Sequence, residues 1–165
     1  MSHAVAIKTK ISKDHLAELV AAAERCGLEF RPDQTKYKWF GKFVGDYKEI
    51  DSVFARLGVE AMGKCEHAFR VRDNDTAYEL GIITDPEDPN SYALVYDFWG
   101  SYGKDLLTQI GQNGELLINQ YNAEVAGTTA KLSGYREVSR TVQPNGSIVQ
   151  EFEITQDQID LLTIG

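Results

Sequence analysis

Hydrophobic and polar residues alternate over the first dozen positions, and a helical spacing of apolar residues follows directly. Val5, Ile7 and Ile11 lie on one side of the alternating segment, which predicts a half-buried strand at the start of the chain. Leucine, valine and alanine then recur at helical spacing over positions 16–23. Because Gly27 can adopt the left-handed conformation that ends many helices, we expect a helix between the strand and this glycine.

Three more strands are predicted in the middle of the chain, joined mostly by short turns. Apolar and polar residues alternate over positions 65–72 and 78–83, and the segment 92–99 is rich in residues that favour strands. The segment 85–90 predicts a loop, since its two prolines lack the backbone N–H that regular strand pairing needs. These strands together predict an antiparallel meander.

The last third of the chain predicts a long helix, a hairpin and a short terminal helix. Apolar residues form a broad stripe over positions 106–125, although Gly111 and Gly114 weaken this helix enough to kink or split it. Two strand-like segments then flank the turn at 143–146. A capping box that begins at Thr155 predicts the terminal helix.

This order of elements places the chain in the α+β class, as a single domain over residues 1–165. We expect a largely antiparallel sheet, with two main helices packed on one face and a short C-terminal helix. Residues 155–165 form either an appended helix or an interaction tail, because so short a helix is not stable alone. Its apolar residues would dock on the protein's own sheet, or on another subunit or partner; they include Ile159, Leu161 and Leu162.

The composition is that of a globular protein in water. The chain has 165 residues, of which 42% are hydrophobic and 25% are charged. No stretch approaches the ~18 consecutive apolar residues of a membrane span, and the first residues lack the apolar core of a secretion signal. We therefore expect a cytoplasmic protein that does not bind membranes.

The charges are distributed unevenly along the chain. Residues 1–72 hold 13 basic and 10 acidic side chains, whereas residues 73–165 hold 4 basic and 15 acidic ones. The acidic half disfavours nucleic acid as a partner over that surface, while the first half could carry a local basic face. The alternative is a solubilising surface on which the uneven distribution has no function.

Basic and aromatic residues are interleaved over positions 36–48, which we call the basic–aromatic segment. Lys36, Lys38 and Lys42 could contact phosphates, and Trp39 could stack on a nucleobase. The same pattern also describes a segment that packs its rings inward and its lysines outward, or a protein interface. Of these alternatives, the pattern favours core packing, and nucleic-acid binding is the least favoured.

A candidate binding site lies near the end of the predicted strand 92–99. Asp97 stands there among aromatic residues, and His3 would pair with it if the first strand lies beside the meander. A His–Asp pair next to Trp99 could bind a small molecule or a nucleotide, or act as an acid–base pair. The alternative is that Asp97 accepts hydrogen bonds from backbone amides of the following turn.

The sequence contains no recognisable motif for catalysis, metal binding or phosphate binding. It has no nucleophile elbow, no zinc-protease motif and no Walker loop, so we assign no catalytic residue and expect no cofactor. Cys65 and His67 lie two positions apart, but two ligands do not make a zinc site. We therefore expect no bound metal.

Three parts of the chain carry a resemblance to a known family. They are the opening Met-Ser-His with residues 7–9 and the helix that ends at 26–28, the segment 92–100, and residues 134–135 leading to the hairpin turn at 145–148. In this order they resemble the conserved hypothetical reading-frame family of plastids and cyanobacteria, which also occurs in other bacteria and in phages. The resemblance implies an accessory protein without an established reaction, sometimes encoded beside an AAA-type ATPase that would be its partner.

The missing catalytic motifs, the uneven charge and the apolar tail favour an adaptor that acts through protein–protein binding or self-association. One alternative is a small-molecule or nucleotide binder, or a weak enzyme, with its site near His3, Asp97 and Trp99. The other is nucleic-acid binding through the basic–aromatic segment.

Overall fold

The computed structural model describes residues 4–41 and 56–164, and in them seven strands and four α-helices follow one another in nearly the predicted order. Two single turns of 3-10 helix lie at Lys13–His15 and Val59–Ala61. The longer elements are β1 (Ala4–Ser12), α1 (Leu16–Arg25), β2 (Leu28–Arg31), β3 (His67–Val71), β4 (Leu80–Asp85), β5 (Asp88–Asp97), α2 (Gly100–Ile110), α3 (Glu115–Leu132), β6 (Tyr135–Val142), β7 (Ile148–Ile154) and α4 (Gln156–Ile164).

Strands β1 to β5 form one sheet in which every neighbouring pair is antiparallel. The strand order is β1-β5-β4-β3-β2, so β1 and β2 are the two edges. The three strands of the predicted meander, β3 to β5, lie side by side as expected. The predicted α+β class and antiparallel sheet are therefore confirmed.

Helices α1, α2 and α3 cover one face of this sheet and form the main core with it. Ile7 and Ile11 of β1 point into this core, as their alternation with polar residues predicts. Each completely buried leucine or isoleucine side chain stabilises the fold by roughly 1.5–3 kcal/mol. On the helices these side chains are Leu19, Leu106, Ile110 and Leu117.

The opposite face of the sheet is covered by irregular chain. Residues 34–41 and 59–65 lie side by side there, since the backbone amide of Tyr37 donates to the carbonyl of Gly63 at 2.9 Å. The buried Tyr37 ring lies over Gly81 of β4, where any side chain would collide with the ring. The strand residues of this second cluster are small or medium in size, namely Ala6, Ala68, Ile83, Ala93 and Val95.

The long helix predicted after β5 is two helices, so three main helices rather than two cover the sheet. Helix α2 ends at Ile110, and α3 begins at Glu115. Gly111 and Gly114 between them have φ angles of +92° and +74°, which glycine adopts readily and other residues do not. Gly114 also lies against Ile7 of β1, where a Cβ atom would collide with the isoleucine.

The loop predicted at 85–90 is wrong in its extent, because both flanking strands reach into it. Asp85 pairs with Asp88 across a two-residue turn. The Asp85 carboxylate accepts the backbone amide of Glu87 at 2.8 Å, which closes this turn. Pro89 lies at the exposed start of β5, a position at which its missing N–H is tolerated.

The hairpin β6–β7 and helix α4 form a lobe on the outside of α3, which we call the C-terminal lobe. A charged cluster lies where the hairpin meets α3. Arg140 of β6 donates to Glu137 and Glu124, both at 2.8 Å, and to Gln120 at 3.1 Å. Arg25 of α1 donates to the same Glu124 at 2.7 Å. These hydrogen bonds join the lobe to both α3 and α1.

Candidate functional site

Asp97, the carboxylate of the predicted binding site, is the last residue of β5 and is completely buried. Its Oδ1 accepts the backbone amide of Trp99 at 2.9 Å, and its Oδ2 accepts that of Phe40 at 3.2 Å. Asp97 thus fastens the turn after β5 to the segment that covers the second face. Asp97 therefore accepts backbone amides, as the second alternative describes, but they are the amides of Trp99 and Phe40 and not those of residues 100–103.

The other two residues of that predicted site are placed differently. His3 lies outside the described residues, although its neighbour Ala4 stands directly opposite Asp97 in the β1–β5 pair. The first strand therefore lies beside the meander, which was the condition for the pairing. Trp99 is 39% exposed and packs edge-on against Phe40, with 5.3 Å between the ring centres.

The described part of the basic–aromatic segment directs its aromatic rings inward. Tyr37 is buried, and this burial raises the pKa of its hydroxyl. Trp39 is partly buried and packs against the same second cluster. Lys36 and Lys38 are exposed, and the Nζ of Lys38 donates to the carbonyl of Asp75. The rings therefore pack as the core-packing alternative describes.

Lys42, the fourth residue predicted for the basic–aromatic segment, lies outside the described residues. Of the four predicted residues, the structure therefore describes Lys36, Lys38 and Trp39, which lie in the segment that covers the second face of the sheet. Both lysines face away from the sheet that Trp39 helps to cover.

The two thiols are poorly suited to nucleophilic chemistry. Burial raises the pKa of Cys26 to about 11 and that of Cys65 to about 12. The Sγ of Cys65 also contacts the carbonyl of Gln34 at 3.1 Å. His67 accepts the backbone amide of Asp33 on its Nδ1 at 2.9 Å. Within the described residues, no group of three or more His, Cys, Asp or Glu side chains could hold a metal ion.

The most exposed large apolar side chains of the described residues belong to α4 and to the adjoining end of α3. Leu161 and Leu162 of α4 are each 66% exposed, and Leu132 at the end of α3 is 86% exposed. The backbone amide of Thr155 donates to the carbonyl of Gly134 at 2.8 Å, which places the start of α4 beside the end of α3. We call Leu132, Ile159, Leu161 and Leu162 the apolar end of the lobe.

The charges around the apolar end are mainly acidic. Helix α4 carries Asp157 and Asp160 and contains no basic residue, whereas Lys131 lies beside Leu132 in the last turn of α3. Glu153 of β7 pairs with Arg136 of β6, so this arginine already has an acidic partner within the hairpin. On α4 the apolar end therefore combines exposed leucines with two carboxylates, for which residues 4–41 and 56–164 offer no ion pair within 4.0 Å.

No protein-family model, no curated protein and no solved structure matches this chain. The resemblance to the plastid and cyanobacterial family therefore stays a prediction. None of the helices within residues 4–41 and 56–164 has the length and apolar character needed to cross a bilayer.

Sequence reasoning missed two features of the surface. Leu132 looks like an ordinary core position, since it follows the apolar stripe of the long helix, yet its side chain is 86% exposed. The second feature is a cleft of about 630 Å³ beside β1, bounded by the corner between α2 and α3. No local sequence pattern marks the cleft, because it forms only where β1, α2 and α3 meet in the folded protein.

Proposed function

We propose that this protein is an adaptor without catalytic activity, which binds a partner protein through the apolar end of its C-terminal lobe. The observation that carries the proposal is the exposure of Leu161 and Leu162, both 66% exposed on a nine-residue helix. A short helix that leaves adjacent leucines in water is typical of a segment that docks on another molecule. Leu132 at the end of α3, which lies beside the start of α4, is 86% exposed as well.

The charge of this surface favours a basic partner over a second copy of the chain. In a symmetric dimer through the apolar end, Asp157 and Asp160 of each α4 would face the same carboxylates of the other copy. A partner segment with apolar residues flanked by lysine or arginine would instead neutralise them. We therefore infer that the partner presents a basic amphipathic segment.

The surroundings of the candidate catalytic groups also support binding rather than chemistry. The Asp97 carboxylate is buried and accepts two backbone amides, and these two hydrogen bonds hold the turn after β5 and the segment at Phe40 in place. The high pKa of Cys65 disfavours a reactive thiolate. The AAA-type ATPase implied by the family resemblance is the partner we propose to test first.

The test begins by finding what touches the apolar end in cells. A photo-crosslinking amino acid at Leu161 and, for comparison, at the exposed Leu57 outside the lobe would identify by mass spectrometry the proteins captured at each position. The purified AAA-type ATPase and any protein captured at Leu161 alone would then be titrated by calorimetry.

The calorimetric comparison uses the wild type, the double variant Leu161→Asp/Leu162→Asp and the control Leu57→Asp. We expect the double variant to weaken binding at least tenfold, because it places charge in an apolar contact, while the control binds as the wild type does. Equal binding by all three proteins would contradict the proposal. A wild-type dimer that the double variant dissociates, seen by light scattering, would show self-association instead.

A further inference from the structure

The cleft of about 630 Å³ lies between β1 and the corner that joins α2 to α3. Three elements contribute to its apolar wall, with Ile7 of β1, Leu107 of α2 and Ile118 of α3. Phe98, which follows β5, also lines it and is 36% exposed. Binding sites for small molecules commonly measure about 300–1,000 Å³ and are mainly apolar. The cleft therefore has the size and the lining of such a site.

Most polar groups of the cleft lie at the corner between the two helices. Gln112 and Asn113 belong to the link between them, Glu115 begins α3, and Asn119 follows about one turn later. Within the described part of the chain, Glu115 is the only charged residue that lines the cleft. The cleft is therefore apolar along most of its wall and negative at the helix corner.

Two glycines allow the Glu115 carboxylate to lie at this corner. A Cβ atom at position 111 would collide with the carboxylate, and one at Gly114 would collide with Ile7. The Oε2 of Glu115 accepts the backbone amide of Asn113 at 2.8 Å, and this hydrogen bond is the main cause of a lowered pKa of the carboxyl group. The carboxylate is therefore ionised at neutral pH and held in place by the backbone.

The negative charge of Glu115 has no basic partner among residues 4–41 and 56–164, where every ion pair involves other carboxylates. The helix dipoles at this corner do not replace such a partner, because the negative end of α2 lies next to the positive end of α3. A ligand with a positive group would be attracted to the carboxylate, whereas an anionic ligand would be repelled.

We propose that the cleft binds a small molecule that carries one protonated amine on an apolar body. The apolar body packs on Ile7, Leu107 and Ile118, and the amine donates to the Glu115 carboxylate. Asp97 does not line the cleft, so this site differs from the binding site predicted around that residue. It is also separate from the apolar end of the C-terminal lobe, and neither proposal depends on the other.

Isothermal titration calorimetry with matched probes tests the preference for a positive charge. The probes are phenylbutylamine, phenylbutanol and phenylbutyrate, which share one apolar body and differ only in the end group. We expect the amine to bind about fivefold more tightly than the alcohol, and the carboxylate to bind most weakly. Equal affinities for the three probes, or no binding of the amine at millimolar concentration, would overturn the proposal.

The variant Glu115→Gln tests whether this carboxylate binds the amine. Its side-chain oxygen can still accept the amide of Asn113, so the start of α3 is kept while the charge is lost. We expect the variant to bind the amine about fivefold more weakly and the alcohol as the wild type does. The control Glu24→Gln, at an exposed position of α1 that does not line the cleft, should bind both probes normally. Circular dichroism checks that both variants are folded, and equal losses in the two would contradict the proposal.

Nuclear Overhauser effects then locate the bound amine on the protein. Protons of its phenyl ring should contact the methyl groups of Ile7 and Ile118. Contacts with Leu161 or Leu162 alone would place the probe on the apolar end of the lobe and would overturn the proposal. The double variant Leu161→Asp/Leu162→Asp should bind the amine as the wild type does, which separates this test from that of the proposed function.

Discussion

The main sheet and the C-terminal lobe are held in place by different interactions. Strand β5 is buried along its last seven residues, and completely buried side chains such as Leu94 and Leu106 lie between the sheet and its helices. In β6 and β7, by contrast, every residue is at least partly exposed. The lobe instead meets α3 through the charged cluster around Arg140.

This difference suggests that the two regions have different roles, the main sheet with its helices in stability and the C-terminal lobe in presenting exposed side chains. Burial of apolar area is the dominant favourable term in folding, so the sheet and its three helices should account for most of the stability. The lobe leaves apolar area exposed and fixes its own position by directional charged hydrogen bonds. Such a lobe can present Leu161 and Leu162 to a partner without being needed for the core.

We expect the largest loss of stability from a truncation in the core, which disrupts the packing of the helices on the sheet. Leu106→Ala should lower the free energy of unfolding by about 2–5 kcal/mol, because it leaves a cavity among completely buried side chains. Leu162→Ala should change it by less than about 0.5 kcal/mol, since that side chain is mostly in water. Urea denaturation measures both, and equal losses would contradict the division into two regions.

The second largest effect should come from removal of the charged cluster, which should weaken the docking of the C-terminal lobe on α3 and leave the main sheet unchanged. Arg140→Met leaves Glu137 and Glu124 without their shared partner, at a cost of about 1–3 kcal/mol to the docking of the hairpin. Hydrogen exchange should accelerate in β6 and β7 and stay unchanged in β4 and β5. Faster exchange across the whole sheet would show that the lobe supports the core.

A smaller effect is a pH dependence confined to the lobe. The hydrogen bond from Arg140 holds the pKa of Glu137 below its ordinary value of about 4.5. A carboxyl group whose pKa is lower in the folded state stabilises that state above its unfolded pKa, and this contribution disappears as the pH falls through the folded pKa. The protection of the hairpin amides, measured relative to their intrinsic exchange rate at each pH, should therefore decrease below about pH 4.5 in the wild type.

The control for this pH dependence is Glu137→Gln, which removes the titrating group. In this variant the acid-induced loss of protection in β6 and β7 should be smaller than in the wild type. An identical acid response in both proteins would assign the effect to other carboxyl groups.

The smallest expected effect is that of the double variant Leu161→Asp/Leu162→Asp on stability. Both side chains are mostly exposed, so the free energy of unfolding should change by no more than about 0.5 kcal/mol. Thermal unfolding followed by circular dichroism is the measurement. A loss as large as that of Leu106→Ala would mean that α4 belongs to the core, and would remove the basis for using this variant as a binding test.

The elements that sequence reasoning predicted are those whose signal is local. The alternation around Ile7, the turn residues before Ser147 and the capping box at Thr155 each mark one element within a few positions. The cover of the second face has no such signal, because Tyr37 packs on Gly81, which is distant along the chain. The packing of helices on one face of the sheet was therefore predictable, whereas the packing of the irregular segments on the opposite face was not.

The same distinction applies to the candidate sites. The apolar tail was visible in the sequence as a cluster of large side chains within ten residues. The sequence did not show how exposed these side chains are, which depends on how α4 packs. The charged cluster was invisible, because Arg25, Glu124 and Arg140 come together only after the hairpin folds back on α3. The cleft beside β1 likewise depends on Gly114 bringing the helix corner against Ile7.

Hydrogen exchange of the protein alone and with its partner tests the central claim most directly. If the apolar end is the binding surface, the partner should slow exchange in α4 and in the last turn of α3, and leave β3 and β4 unchanged. Protection confined to other elements, with α4 exchanging at the same rate in both samples, would contradict the account.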